Sequence, residues 1–344
     1  MNDIVRSFSD PQFNLNDKSV LVTGGTGSFG VAFVKYVLSN FKPKRLVVFS
    51  RDEQKHFTMA QDYGTDKFPC MRYFIGDVRD YQRLEMAMRE IDVVVHAAAM
   101  KHVPAAEYNP FECIRTNVNG AENVVRAAFA TGVERVIALS TDKACSPINL
   151  YGASKLASDK IFVAANNMRG EKGTRFAVVR YGNVIGSNGS VLPFFRKLIE
   201  GGADYLPITD ERMTRFWITL KQGVQFVLSS MEMMKGGEVF IPKIPSMKVV
   251  DLARYLAPDL PIKVIGIRPG EKLHEAMSTE DDARNMVELS DRFIIEPELM
   301  FWDSGNYRAG DAKPVVDGYS YASNTNGEWI SDGTLSLLLC DSVK

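Results

Sequence analysis

Cysteine is scarce: Cys70, Cys113, Cys145 and Cys340 are scattered through the 344 residues with no CxxC pair and no histidine close by. This spacing indicates neither a zinc site nor a disulfide framework, so no metal is expected and the thiols are expected to be buried or inert. The sequence also lacks a run of ~20 apolar residues able to span a bilayer. Met1 to Asp17 is polar and broken by Pro11, without the apolar centre of a signal peptide. A cytoplasmic protein without a membrane partner is the default expectation. Charge imbalance is missing too, since 41 Lys and Arg stand against 42 Asp and Glu. No broad field then draws the chain to nucleic acid or anionic lipid, and an anionic ligand must be held by local clusters. No internal repeat or low-complexity run appears, and 45% hydrophobic with 24% charged residues is an ordinary globular composition.

The length allows two domains or one large α/β unit. Short β-branched runs recur at Val20–Val22, Leu46–Phe49, Tyr73–Ile75, Val93–Val95, Val136–Leu139 and Phe176–Val179, separated by helical patterns at Val31–Leu38, Tyr81–Met88, Ala121–Ala130 and Lys155–Ala165. Apolar runs without polar alternation suit strands buried on both faces, and their alternation with helices implies a Rossmann-type, doubly wound parallel sheet. Past Asn183 the pattern loosens, then resumes with a helix over Leu220–Met234 and a strand over Glu238–Ile241. The expected division is a dinucleotide-binding domain of residues 1–184 plus about 217–247, interleaved with a smaller substrate domain of about 185–216 plus 248–300. Residues 301–344, rich in Gly, Ser and Asn at first, form a tail whose order the sequence leaves open.

The first strand runs into Thr23-Gly24-Gly25-Thr26-Gly27-Ser28-Phe29-Gly30, with a helix directly after. Glycines at 24, 27 and 30 permit a tight turn and close approach to a pyrophosphate at the positive helix N-terminus. Sites that select NAD usually place an acid at the end of the second strand; here Ser50 and Arg51 follow it, with Lys55 near. A hydroxyl and two cations suit a 2′-phosphate, so NADP is expected, against the alternative that Asp52 or Glu53 reaches the ribose. Asp77 and Val78 end the third strand beside the adenine, and Ala97 to Ala99 after the fourth leave room for the cofactor backbone.

The fifth strand ends in Ser140-Thr141-Asp142-Lys143, where ligands of open α/β sheets sit. Tyr151 and Lys155 follow at i, i+4 on one helical face. A cation beside a phenol stabilises the phenolate, so a lowered tyrosine pKa is expected, letting Tyr151 move a proton while hydride moves to nicotinamide.

Together these residues resemble the extended short-chain dehydrogenase/reductase superfamily, on TGGTGSFG, YxxxK and Arg180-Tyr181-Gly182-Asn183. More narrowly, Lys101-His102-Val103-Pro104, Ser140–Lys143, Arg212–Trp217 and Gly266–Glu275 resemble the soluble, inverting UDP-N-acetylglucosamine 4,6-dehydratases of pseudaminic acid synthesis, over about residues 18 to 300. Longer membrane-anchored relatives typically carry methionine in place of the tyrosine; Tyr151 therefore favours the soluble branch. The resemblance implies a hydro-lyase in which hydride leaves carbon 4 of the sugar for NADP, water is lost across carbons 5 and 6, and hydride returns to carbon 6 with inversion at carbon 5. It implies Lys143 as the carbon 5 base, Asp142 as the acid, and Thr141 bonded near carbon 4. A base must be neutral, so Lys143 is expected to have a lowered pKa; the competing role is a charged stabiliser of the enolate. Arg215, Arg268, Lys101, Asn183 and Glu271 are expected on the UDP-sugar, Val184 joins Tyr151 and Lys155 on the cofactor side, and His102 and His274 are read as orienting. A homo-oligomer, up to a hexamer, is implied as well. Two other readings stay open: a nucleotide-sugar 4-epimerase on the same fold, which needs no acid–base pair for carbons 5 and 6, and a non-enzymatic NADPH-binding regulator.

Overall fold

The computed structural model describes residues 6–170, 173–187, 189–299, 307 and 310–341. Polar as its first residues read, the chain begins by burying Phe8, Phe13 and Leu15. Strands then alternate with helices: β1 (Ser19–Thr23), α1 (Ser28–Asn40), β2 (Arg45–Ser50), α2 (Glu53–Asp62), β3 (Met71–Ile75), α3 (Tyr81–Ala87), β4 (Val93–His96), α4 (Val103–Tyr108), α5 (Pro110–Ile114), α6 (Gly120–Thr131), β5 (Arg135–Thr141), α7 (Leu150–Ala165) and β6 (Arg175–Tyr181). Each apolar run picked out in the sequence falls within one of these strands. The second half adds β7 (Asn183–Val184), α8 (Val191–Glu200), β8 (Leu206–Ile208), β9 (Thr214–Ile218), α9 (Leu220–Met233), β10 (Val239–Pro242), β11 (Ser246–Lys248), α10 (Val249–Leu256), β12 (Ile262–Val264), β13 (Met286–Glu288), β14 (Arg292–Ile295), β15 (Lys313–Pro314) and α11 (Asp332–Asp341).

Strands β3-β2-β1-β4-β5-β6-β10 lie side by side, all parallel. The fold is therefore the doubly wound α/β sheet expected from the sequence, with β14, β13 and β15 adding an antiparallel edge beyond β10. Strand order reverses at β1, between β2 and β4, so the carboxyl ends of β1 and β4 open a crevice where such sheets take ligands. Every residue of β1 is buried, as strands covered by helices on both faces must be.

Among the described residues two large apolar cores result, beside a small cluster of Ala106, Cys113 and Tyr151. The larger joins the parallel strands to α1, α6 and α9, and includes Phe8, Phe13 and Leu15 as well as Tyr321 from near the other end. The smaller gathers Ile185, Leu192, Phe195, Trp217, Met247 and Leu252 with Leu335, Leu338 and Leu339 of α11. Described residues of the tail thus complete both cores, and Trp217 and Met247 sit at the seams of the division expected from the sequence.

Candidate active site

Close packing dictates the glycines after β1. Gly24 has φ +66°, and a Cβ on it would lie 2.9 Å from Ala98 Cα; one on Gly30 would lie 2.4 Å from Gly25 Cα. No side chain fits either place. Gly27 at the N-cap of α1 has no side chain to bond the first turn, and the positive start of the helix faces the crevice as an anion site would. This cradle fits a dinucleotide pyrophosphate. Beneath it the Thr23 hydroxyl accepts from the Ala97 and Ala98 amides at 3.2 and 3.3 Å, and lies 2.8 Å from His96 Nδ1. Burial pushes the His96 ring down to about 3, aided by Lys155, so the imidazole is neutral.

At the far end of the crevice, Ser50 Oγ lies 2.8 Å from Thr26 Oγ1 and 3.0 Å from His56 Nε2. Burial holds the His56 ring below its ordinary pKa. Arg51 is largely exposed, 3.6 Å from Asp77, and Lys55 lies 3.4 Å from Asp52. Asp52 itself accepts from the Lys55 amide as the cap of α2. Arg79 grips Asp77 with Nε at 2.9 Å and Nη2 at 2.6 Å. Burial would raise the Asp77 carboxyl, but these bonds and Arg51 outweigh it and leave it below the usual range. This end of the cavity thus carries the cations Arg51 and Lys55 together with the carboxylates Asp52 and Asp77.

β5 carries Thr141 to the crevice, and a tight turn over Asp142–Ala144 follows it. Asp142 is fully buried. Its Oδ1 accepts from the Thr141 hydroxyl at 2.9 Å and from Lys143 Nζ at 3.0 Å, while Oδ2 has no partner among the described residues. Lys143 meets a second carboxylate, Glu275, with Oε1 at 3.2 Å. This overturns the expected lowering of Lys143. Burial does favour the neutral amine, but Asp142 and Glu275 together outweigh burial and the repulsion of Arg215, and Lys143 stays protonated above the ordinary lysine range. Sequence spacing could not bring Glu275 into that balance, because it arrives from a loop 132 residues further along the chain.

A second correction concerns Tyr151 and Lys155. Asn149 caps α7, accepting from the Gly152 amide at 2.7 Å, and both side chains are buried at its start. Lys155 Nζ donates to the Leu139 carbonyl at 2.7 Å. Burial raises Tyr151 to about 12 against the pull of Lys143 and a hydrogen bond with Thr141, where a lowered phenol was expected. Burial also lowers Lys155, opposed by Asp159.

One cavity of about 730 Å³ joins these parts. Its wall includes Gly24, Thr26, Gly27, Ser28, Phe29, Ser50, Arg51, Lys55, Asp77, Val78, Ala97, Lys101, Thr141, Asp142, Lys143, Tyr151, Lys155, Asn183 and Val184. Gly30, Arg215, Arg268 and Glu271 are outside that wall. Gly30 packs behind the glycine turn, and Arg268 is exposed on the loop after β12, its amide 3.4 Å from Glu271 Oε2. Arg215 is buried and gives its guanidinium to the carbonyls of Thr214, Leu273 and Lys272 at 2.7, 3.0 and 2.8 Å. His274 Nδ1 lies 2.8 Å from the Thr214 hydroxyl, and the His102 ring packs against Gly189. Sequence reasoning missed Glu275, His56, His96 and Thr116, whose buried hydroxyl faces the cavity without a partner among the described residues. Glu275 closes the Gly266–Glu275 segment that carried the resemblance, which was the available signal. Thr116 lies in a π-turn at Arg115–Asn119, an irregularity that periodicity does not reveal.

The polysaccharide biosynthesis protein family matches residues 20–297. A UDP-N-acetylglucosamine 4,6-dehydratase (inverting) of Campylobacter jejuni is 59% identical over 325 residues, 93% of this chain and 96% of that protein. A UDP-glucose 4-epimerase of Rickettsia canadensis is 41% identical over 290 residues, covering 81% of this chain and 83% of the other. Among solved structures, Pen from Bacillus thuringiensis superposes with a TM-score of 0.86 at 38% identity, over 96% of this chain and 98% of its own.

Proposed function

Since the chain belongs to the polysaccharide biosynthesis protein family, with the short-chain dehydrogenase/reductase fold, we propose that it is an NADP-dependent, configuration-inverting UDP-N-acetylglucosamine 4,6-dehydratase, a hydro-lyase. One observation carries this reading: Asp142 and Lys143, an ion pair at 3.0 Å, share a cavity with the Tyr151 phenol and the dinucleotide cradle. Oxidation at carbon 4 needs only the tyrosine side of that cavity; a carboxylate and an ammonium beside it are what removal of water from carbons 5 and 6 requires. The same pair argues against an epimerase.

Bound NADP supplies the hydride acceptor for carbon 4 and the hydride donor for carbon 6. The glycine turn and α1 would hold its pyrophosphate, and Ser50, Arg51 and Lys55 would hold its 2′-phosphate. Tyr151 by itself stands as a phenol against the pull of Lys143; with the positive nicotinamide of bound cofactor added to that pull, it would move toward the phenolate that can take the carbon 4 hydroxyl proton. Lys101 and Asn183 bind sugar or phosphate oxygens within the cavity. Arg268 and Glu271, on the exposed loop beside it, reach the uridine diphosphate, and Arg215 anchors that loop through its carbonyls. Once carbon 4 is a ketone the carbon 5 proton is acidic, and Asp142 and Lys143 carry out the elimination.

Incubation with UDP-N-acetylglucosamine and NADP in deuterated water tests the whole reading. A product lighter by one water, carrying deuterium at carbon 5 in the inverted configuration by NMR, is expected. Unchanged product mass would establish the epimerase reading, and binding of NADPH and UDP-sugar without turnover the regulatory one. The cofactor assignment has its own check in dissociation constants, where tighter binding of NAD than NADP would overturn it.

A further inference from the structure

The side chain of Asn149 faces two ways. Its Oδ1 accepts from the Gly152 amide at 2.7 Å and so caps α7, the helix that carries Tyr151 and Lys155. Its Nδ2 donates to the Gly270 carbonyl at 2.8 Å, 121 residues further along the chain. Amide and carbonyl can be satisfied together in one orientation of the asparagine only, because the first must donate and the second must accept. Gly270 belongs to the turn Arg268–Glu271, closed by the Glu271 amide on the Arg268 carbonyl at 3.0 Å. A φ of +75°, and a Cβ that would lie 3.0 Å from the Asn149 Cβ, reserve the position for glycine. Among the described residues no other hydrogen bond reaches this turn from outside it; Arg215 Nη2 stands 3.8 Å from Glu271 Oε1, a looser ion contact. The chain just beyond is stitched separately, with Lys272 Nζ on the Cys145 carbonyl at 2.6 Å.

Resting on the UDP-sugar reading, we infer that Asn149 is a positioning residue for the nucleotide: its amide pins the Arg268–Glu271 turn to the first residue of α7, and so fixes the side chains that reach the uridine diphosphate relative to Tyr151. Arg268 is exposed and Glu271 half-buried, so neither is set in place by packing of its own. What orders them is the backbone of their turn, and that backbone is held to the larger lobe through the Gly270 carbonyl. Serine, threonine and aspartate cap helices as asparagine does, but asparagine alone among them carries its acceptor and its N–H donors on separate atoms. The choice of asparagine at the cap therefore answers to the loop as well as to the helix. Aspartate separates the two duties, because it keeps the acceptor for the Gly152 amide and sets a carboxylate oxygen against the Gly270 carbonyl.

The test compares the wild type with Asn149→Asp and Asn149→Ala, using UDP and NADPH as calorimetric probes. Asn149→Asp is expected to bind NADPH within about twofold of the wild type and to bind UDP about tenfold more weakly, the size of one lost hydrogen bond. Its melting temperature should stay within about 2 °C, since α7 keeps its cap. KM for UDP-N-acetylglucosamine should rise with the UDP dissociation constant while kcat holds within about threefold. Asn149→Ala should lose UDP binding to the same extent and melt lower as well, because it gives up the cap too. Unchanged UDP binding in Asn149→Asp overturns the inference, and so does an equal weakening of UDP and NADPH, which would mark a merely structural contact. Should Asn149→Asp not fold, NMR of the wild type decides: the Asn149 side-chain amide must exchange with solvent more slowly than that of the exposed Asn167, and equally fast exchange refutes the pin. A wild type that does not bind UDP would instead sink the nucleotide-sugar reading, and amide exchange still reads the pin in that case.

Discussion

His96 sits beneath the cofactor cradle as a neutral ring, pushed by burial down to about 3. Unfolding would return it to an ordinary value near 6.5, so the unfolded chain binds a proton that the folded one refuses. Its contribution to stability is therefore whole above about pH 6.5 and is lost progressively as pH falls from there toward 3. Urea midpoints measured between neutral and acid pH should fall for the wild type and fall less for His96→Gln; equal slopes would contradict the assignment. Ser50 supplies a second expectation. With NADP bound as proposed, replacing it with aspartate puts a carboxylate beside the 2′-phosphate, so NADP should bind at least about tenfold more weakly, ~1.4 kcal/mol, while NAD binding improves. Fluorescence titration of the reduced cofactors measures both. At this scale the sequence disclosed the reactive side chains but not their charge states. The lowered Lys143 and the lowered Tyr151 were both expected from neighbours in sequence, whereas Glu275 and the burial around the phenol decide them in space.

α1 shows how an element can depend on a missing atom. A methyl group on Gly30 would meet the Gly25 backbone at 2.4 Å, and backbone cannot step aside as a long side chain would. Gly30→Ala should push α1 away from its turn, weaken NADPH binding by more than tenfold and cost about 1–3 kcal/mol of stability. Titration and urea unfolding check the two effects. The elements that the sequence disclosed are those with a clear apolar signal, β1 to β6, β10 and the helices packed on them. α2 escaped because only His56 and Met59 of Glu53–Asp62 are buried, too few to draw a stripe. β13 and β14 escaped because short strands within a charged, irregular stretch look like loop until β10 pairs with them. The parallel sheet and its crevice were legible for the opposite reason: strands covered on both faces can afford no polar alternation.

Across the whole molecule the two cores are joined by chain that crosses between them more than once, and the tail belongs to both. Leu335 and Leu338 of α11 are each 2% exposed beside Trp217 and Met247. Truncating both to alanine should cost about 4 kcal/mol or more, given ~2–5 kcal/mol for one buried leucine, and should loosen the smaller core first. UDP binding by calorimetry is expected to suffer while NADPH binding persists, since the cofactor cradle is built from β1, β2 and α1; equal loss of both would mean that the cores unfold as one. The sequence did not disclose this arrangement, because a Gly- and Asn-rich approach masks a helix whose partners, Trp217 and Met247 among them, lie far earlier in the chain. Seating α11 against Trp217 also bears on synthesis. As the chain leaves the ribosome, neither core can close early: the larger waits for Tyr321 and the smaller for α11, residues 332–341. A nascent chain therefore reaches its finished packing only when nearly all of it has emerged.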